Sequence, residues 1–312
     1  MQVFKIHHPY IASDLDEQPV VLAMGFFDGV HLGHQAVLTT ARAVAEEQDL
    51  PLAVLTYNQH PSLVFKKQPQ PFKYLIPLKQ KLNLFEEFGV NRVFVVDFTS
   101  QLAALSPQEF VEQYMVGLHA QTVVAGFDHT FGPRETANMQ TLPLLAEHRF
   151  EVVEVPRKML VDEEASSTNI RKHLGQREVT AVNHLLGRIY TTDGVVVHGD
   201  ARGRQMGFPT LNIVTPENEL LPGDGVYVVE VLLNNQWYGG MAQIGYNVTF
   251  EANRAKTLEI NLFGFHGEVY GEHVQIRWHQ FLRLEAKFAG MDALTQQLLE
   301  DQKVSQAYLA QL

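Results

Sequence analysis

The chain contains no cysteine. That absence excludes disulfides, thiolate metal ligands and a cysteine nucleophile together. Positive charge is scarce: 24 lysines and arginines face 35 acidic residues, for a formal net charge of -11. An acidic chain is poorly suited to wrapping nucleic acid, which calls for a basic face. Small phosphate ligands respond instead to local donors and metal ions. No apolar run approaches the length needed to span a bilayer, and Met1 to Tyr10 shows no apolar signal core behind a basic segment. The expectation is a cytoplasmic protein with neither a membrane nor a nucleic-acid partner. Disorder is excluded as well, since 46% of residues are apolar and 19% charged, a balance that supports packed cores. At 312 residues the chain exceeds the usual single domain, so two are expected.

The first half alternates between two periods. Short apolar runs at 19–26, 51–57, 91–97, 121–127 and 150–156 read as buried strands. Helical patterns lie between them at 33–48, 78–88, 107–116 and 138–148. Ser106-Pro107 supplies an N-cap followed by a first-turn proline. Strands alternating with helices predict a doubly wound parallel α/β sheet, whose ligands bind beyond the carboxyl ends of the strands. A helical stretch from 168 to about 186 is interrupted at Gly175. From 188 to about 281 the texture becomes β-rich, with runs at 194–198, 226–233, 237–244, 257–263 and 274–278 between glycine-rich turns. This predicts a small antiparallel barrel, followed by a terminal helix over 291–312. The boundary falls near 183–187, giving expected domains of 1–184 and 185–312. No internal repeat or low-complexity tract is present.

The first strand runs into Gly25-Phe26-Phe27-Asp28-Gly29-Val30-His31-Leu32-Gly33-His34. Two histidines three residues apart at a helix start can aim both imidazoles at one point, beside unpaired N–H groups and the positive end of the helix dipole. Gly33 allows close approach of a phosphate to the backbone. His-x-x-His alone would better describe a turn with two surface histidines. A zinc site would need a third ligand that is not in view. The strand, the Asp28-Gly29 turn and Gly33 in register favour a nucleotide.

This decapeptide resembles the His-x-Gly-His signature of the nucleotidyltransferase superfamily. Gly126-Phe127-Asp128-His129-Thr130-Phe131-Gly132 and Ser166-Ser167-Thr168-Asn169-Ile170-Arg171 narrow the resemblance to the FMN adenylyltransferase module of bacterial FAD synthetases. It implies that His31, His34 and Arg171 are catalytic, with Gly25, Phe26, Gly33, Asp128, Ser167 and Thr168 at the ATP phosphates. Ser167 and Thr168 can donate hydroxyls at a helix start, and Arg171 offers a permanent charge. Pro133-Arg134-Glu135-Thr136-Ala137-Asn138 departs from the family pattern. His60-Pro61 resembles another family position, for which a structural role is as good a reading.

In the second half, Gly199 to Asn212 holds glycines at intervals of four but no Lys-Ser or Lys-Thr, so it is not a P-loop. With Gly203, Gly207 and Phe208-Pro209-Thr210-Leu211-Asn212 it resembles the Gly-Arg-x-x-Gly-Phe-Pro-Thr-x-Asn motif of riboflavin kinases. That resemblance implies ATP phosphates beneath Gly203 and Gly207, and magnesium on Thr210 and Asn212, whose hard oxygens suit it. It places the family's catalytic base on Glu259. By alternation alone, Glu259 faces either a ligand cavity or the surface. Val248 and Phe263-Gly264-Phe265 depart from the family pattern. Taken over the whole chain, the resemblance is to bifunctional riboflavin kinases/FMN adenylyltransferases. It implies riboflavin, FMN, FAD and ATP as partners, with ATP as co-substrate and magnesium as cofactor. A cytidylyltransferase would share His31 and His34 but lack the second motif, and a non-catalytic flavin-binding protein would lose the phosphate-handling residues.

Overall fold

A computed structural model of the chain describes residues 1–11, 15, 17–67, 70–160, 163–199, 203, 207–246 and 256–312. By contact it divides into two compact units, Met1–Ser167 and Thr168–Leu312.

The first unit runs β1 (Gln2–Ile6), β2 (Val20–Met24), α1 (Leu32–Gln48), β3 (Leu52–Tyr57), α2 (Ser62–Phe65), α3 (Leu78–Glu87), β4 (Arg92–Val96), α4 (Ser100–Ala103) and α5 (Pro107–Val111). It continues with β5 (Ala120–Gly126), α6 (Leu142–Ala146), β6 (Glu151–Val155) and the antiparallel pair β7 (Met159–Leu160) and β8 (Glu163–Glu164). Six parallel strands form one sheet in the order β1-β4-β3-β2-β5-β6. β2, β3 and β4 are buried at every residue, which is why they read as continuous apolar runs rather than alternating ones. Successive residues serve opposite faces. Leu22, Met24, Leu55 and Phe94 join Phe110, Tyr114 and Met115 in one core. Val21, Ala23, Val54 and Val93 meet Val37, Leu38 and Ala41 of α1 and Phe85 of α3 in the other.

The second unit contains most of α7 (Ser167–Gly175), then α8 (Val179–Leu186), β9 (Tyr190–Val197), β10 (Leu211–Val214), β11 (Gly225–Leu233), β12 (Gln236–Gly245), β13 (Thr257–Leu262), β14 (His273–Arg283) and α9 (Met291–Leu309). The strands close into an antiparallel barrel in the order β10-β13-β12-β11-β14-β9. Trp278, fully buried, donates its indole N–H to Thr192 Oγ1 at 2.9 Å. Asn183 of α8 clamps the helix to the barrel: its Nδ2 donates to the Trp278 carbonyl at 2.9 Å and its Oδ1 accepts from Tyr190 N at 2.7 Å. On α9, buried Asp301 receives Arg283 of β14 at 2.7 Å.

The expected α/β sheet and barrel with terminal helix are both present. Several elements differ from expectation. β1 was not foreseen; it is an edge strand with Ile6 its one buried residue, so it carries little apolar signal. The helix expected over 107–116 is α-helical only to Val111 and becomes a π-helical turn over Glu112–Val116. The helix expected over 138–148 shrinks to α6, because Asn138 Oδ1 accepts from Gln140 N and Thr141 N, each at 3.0 Å, and holds a turn in front of it. Ser106 does cap α5, in a full capping box with Glu109.

Candidate active sites

β2 has β3 on one side and β5 on the other, so the loops after β2 and β5 meet at the switch point of the sheet, where such folds bind ligands. The loop after β2 is unusually shaped. Phe27 (φ 57°), Gly29 (φ 84°) and Val30 (φ 40°) all adopt positive φ, a state that costs a non-glycine residue roughly 1–3 kcal/mol and clusters at functional sites. Its surroundings hold it there. The Phe27 ring is 1% exposed and packs edge-on against Phe85 at 5.5 Å and His34 at 5.2 Å. Asp28 Oδ1 accepts from Leu75 N at 3.0 Å, and the Asp28 carbonyl accepts from Ser167 Oγ at 2.8 Å. A Cβ at Gly25 would meet the Phe27 ring at 3.0 Å.

His31 is the N-cap of α1, and its Nδ1 accepts from His34 N at 3.4 Å. The acceptor role leaves the ring proton on Nε2, which makes that nitrogen a donor. The His31 and His34 rings stack with centroids 3.6 Å apart. Two imidazoles are thus held together at the amino end of a 17-residue helix, where backbone N–H groups and the macrodipole favour an anion. A Cβ on Gly33 would lie 3.0 Å from the Ala165 carbonyl and 3.1 Å from His31 Nδ1. The missing side chain therefore admits the segment that leads to Ser167.

In the loop after β5, Asp128 is exposed. Burial pushes the His129 imidazole down to about 4, with Asp128 partly opposing, so this ring is neutral near pH 7. Residues 133–138 are tied mainly to themselves, with Thr136 N and Ala137 N donating to the Pro133 carbonyl and Asn138 Nδ2 to the Arg134 carbonyl at 2.7 Å. His60 stacks on Phe72 at 4.5 Å and meets the Phe26 ring edge-on at 5.0 Å. Thr168 and Arg171 lie on α7, in the second unit.

A separate constellation forms on the barrel. Thr210 Oγ1 donates to Glu259 Oε2 at 3.3 Å, and Thr257 Oγ1 to Glu259 Oε1 at 3.5 Å. Asn212 of β10 and Gln243 of β12 each stand directly opposite Glu259 of β13. Directly paired residues of antiparallel strands share a face, so Asn212, Glu259 and Gln243 form one polar row. Leu258 and Ile260 turn into the barrel core, leaving Glu259 half-buried on the outer face. The expectation of a cavity-facing or a surface-facing glutamate thus resolves to a partly covered outer position. A Cβ on Gly199 would overlap the Asn212 side chain, and one on Gly203 the Phe208 carbonyl oxygen. Gly207 has φ 78°, a conformation that suits glycine. Arg204, the arginine of the Gly-Arg-x-x-Gly-Phe-Pro-Thr-x-Asn motif, and Val248 lie outside the described residues. Beside Thr210, a cavity of about 410 Å³ is lined by Pro209, Leu262, Phe265 and Tyr270. A larger one of about 1050 Å³ touches Pro19, Gln121 and Glu151, at the amino ends of the sheet strands and away from the His31 loop.

Several residues at these sites were not read from the sequence. Lys81 is 3% exposed and lies under the His31 loop, donating to the Phe26 carbonyl at 2.8 Å. A signal for it existed: Lys81 falls on the apolar stripe of α3 formed by Leu78, Leu82 and Phe85. Gln243 also donates to Glu285 Oε1 at 3.0 Å, and Asn261 Nδ2 to the Pro209 carbonyl at 2.7 Å. These pairings depend on strand register, which no local spacing announces.

The two halves match different family models, FAD synthetase over residues 13–169 and riboflavin kinase over 186–309. A bifunctional riboflavin kinase/FMN adenylyltransferase of Listeria monocytogenes is 44% identical, covering 100% of this chain and 99% of its own. One of Bacillus subtilis is 39% identical with the same coverage. A crystal structure described as a macrolide-efflux protein of Streptococcus pneumoniae matches with a TM-score of 0.89 at 34% identity, covering 98% of this chain and 99% of that one. The efflux description is that protein's own. Among the described residues of the present chain, no helix is long and apolar enough to cross a membrane. With both halves matched in order and full-length relatives at this identity, the chain belongs to the family of bifunctional riboflavin kinases/FMN adenylyltransferases.

Proposed function

We propose that the chain carries out both reactions of its family on separate sites, phosphoryl transfer within 185–312 and adenylyl transfer within 1–184. Riboflavin and ATP are the substrates of the first step, and FMN and a second ATP those of the next. A cytoplasmic location is part of this reading, since both steps draw on ATP.

On the barrel, the riboflavin 5′-oxygen bonds to the γ-phosphorus of ATP as the bond from that phosphorus to the β,γ-bridging oxygen breaks. FMN and ADP result. Glu259 accepts the hydroxyl proton. The hard oxygens of Thr210 and Asn212 beside it fit magnesium. Among the described residues no group of three His, Cys, Asp or Glu side chains is placed to hold a metal. A few protein oxygens completed by phosphate and water is the usual magnesium arrangement. When bound, magnesium neutralises phosphate charge.

In the first unit, an already ionised oxygen of the FMN phosphate bonds to the α-phosphorus of ATP. The bond to the departing pyrophosphate breaks, and FAD forms. This step needs no base. His31 and His34, at the head of α1, stabilise the charge that develops on the phosphoryl oxygens.

The observation that carries the reading is the meeting of Thr210 with Glu259 at 3.3 Å, with Asn212 paired across from Glu259. A nucleotidyltransferase of another specificity has no use for that constellation. Fragments test the division. Residues 168–312 should phosphorylate riboflavin and make no FAD. A fragment beginning at 187 should melt lower, because it loses Asn183 with its bonds at 2.9 Å and 2.7 Å and the buried Val182 and Leu186. Each lost buried hydrogen bond is worth about 1 kcal/mol or more. A folded but inactive 168–312 fragment, with the full chain active, would contradict the division.

A further inference from the structure

Beneath the His31 loop, Lys81 Nζ donates to the Phe26 carbonyl at 2.8 Å and to Thr56 Oγ1 at 3.2 Å. Thr56 Oγ1 in turn donates to the same carbonyl at 3.0 Å. Thr56 is fully buried, and the Lys81 ammonium also sits 4.5 Å from the centre of the Phe26 ring. A buried ammonium is costly unless its setting holds it charged. An apolar residue at this position of the α3 stripe would fill the core without that cost. The Phe26–Phe27 peptide is trans, so its N–H points opposite to its carbonyl. Drawing the Phe26 oxygen down onto Lys81 and Thr56 therefore turns the Phe27 N–H away from them.

We propose that Lys81, with Thr56, is a positioning residue for adenylyl transfer: it pins the Phe26 carbonyl in the core and so aims the Phe27 N–H at the ATP phosphates, while placing a fixed cation under them. The inference rests on the assignment of the His31 loop to ATP. It bears on how Phe27 keeps its positive φ, since the peptide ahead of it is anchored at its oxygen. Successive N–H groups in such a turn form an anion-binding concavity, and a cation below it adds to the potential.

Burial lowers the Lys81 ammonium to about 8, with Asp28 partly opposing. The other titratable groups around it are Asp28, His31 and His34 on the loop, with His60 and Tyr74 bordering the Phe26 ring. kcat/KM for ATP reports ionisations of the free enzyme, so it should fall as pH rises through about 8. Stability moves the other way. The unfolded chain, with an ordinary lysine, binds more protons between about 8 and 10.5, so the folded state gains across that window. A loss of activity there is not a loss of fold.

The test uses the full chain, following FAD from FMN and ATP and, in parallel, FMN from riboflavin. Lys81→Met should lower kcat/KM for ATP in adenylyl transfer by roughly 10²-fold, the scale of one preorganised donor, with riboflavin phosphorylation at the parental rate. Lys81→Arg should retain most activity and carry it to higher pH, because arginine stays charged. Thr56→Val should weaken adenylyl transfer less than Lys81→Met. A folded Lys81→Met protein with parental adenylyl transfer overturns the proposal, as does a Lys81→Arg protein whose activity falls at the same pH as the parent. If Lys81→Met does not fold, the Lys81→Arg profile decides. His31→Ala separates the two layers. If it leaves FAD formation intact, the site reading fails; if it abolishes FAD formation while Lys81→Met does not, only the role of Lys81 fails.

Discussion

Replacing Glu259 by alanine should slow FMN formation by roughly 10²–10⁴-fold, the range for a positioned proton acceptor. Binding of riboflavin and ATP should weaken far less, because the lost interaction belongs mainly to the transition state. Glu259→Gln sharpens the test. It preserves partners for Thr210 and Thr257, now at 3.3 Å and 3.5 Å from the carboxylate, while removing the basic oxygen. It should therefore fold as the parent does and still lose phosphoryl transfer. Both variants should convert added FMN to FAD at the parental rate, since that step occurs elsewhere. Normal phosphorylation by either variant would remove Glu259 from the mechanism. No other acidic residue lies in 257–264, so attention would pass to Glu285, joined to the same polar row through Gln243.

His31→Ala should reduce FAD formation by roughly 10²–10³-fold and leave FMN formation intact, the usual loss for a preorganised donor at a developing charge. The substitution also removes the cap that receives His34 N, a loss on the order of 1 kcal/mol. His31→Asn isolates the chemistry, because asparagine is a good N-cap and has no imidazole. It should restore stability without restoring adenylyl transfer. Proportional loss of both activities in His31→Asn would mean that His31 serves the protein as a whole rather than one reaction.

Much of the architecture was readable because its determinants are local. β2, β3 and β4 are buried at every residue and appear as unbroken apolar runs, and Ser106-Pro107 marks a helix start by chemistry alone. The His31 and Thr210 motifs are contiguous, so the residue types needed for phosphate handling stand side by side. What stayed hidden depends on partners far along the chain. β1 pairs with β4 but buries only Ile6, leaving almost no pattern to detect. The four-residue β10 reads as the tail of a loop motif, although its pairing with β13 brings Asn212 to Glu259. Lys81 and Thr56 lie 25 residues apart, and neither forms a motif with the loop they support. Left-handed Phe27 and Val30 were equally silent, since nothing in their identity asks for positive φ.

The central claim is that one chain makes FMN and then FAD through two independent sites. Its most direct test is to incubate the parental protein and the Glu259→Gln and His31→Asn variants with riboflavin, ATP and magnesium, and to separate the flavins over time. The parent should accumulate FMN first and FAD afterwards, with pyrophosphate released only in the second phase and both products lost on chelating the metal. Glu259→Gln should leave riboflavin almost unchanged yet turn supplied FMN into FAD, and His31→Asn should stop at FMN. A parent that forms neither product, or two variants that fail in the same step, would contradict the account.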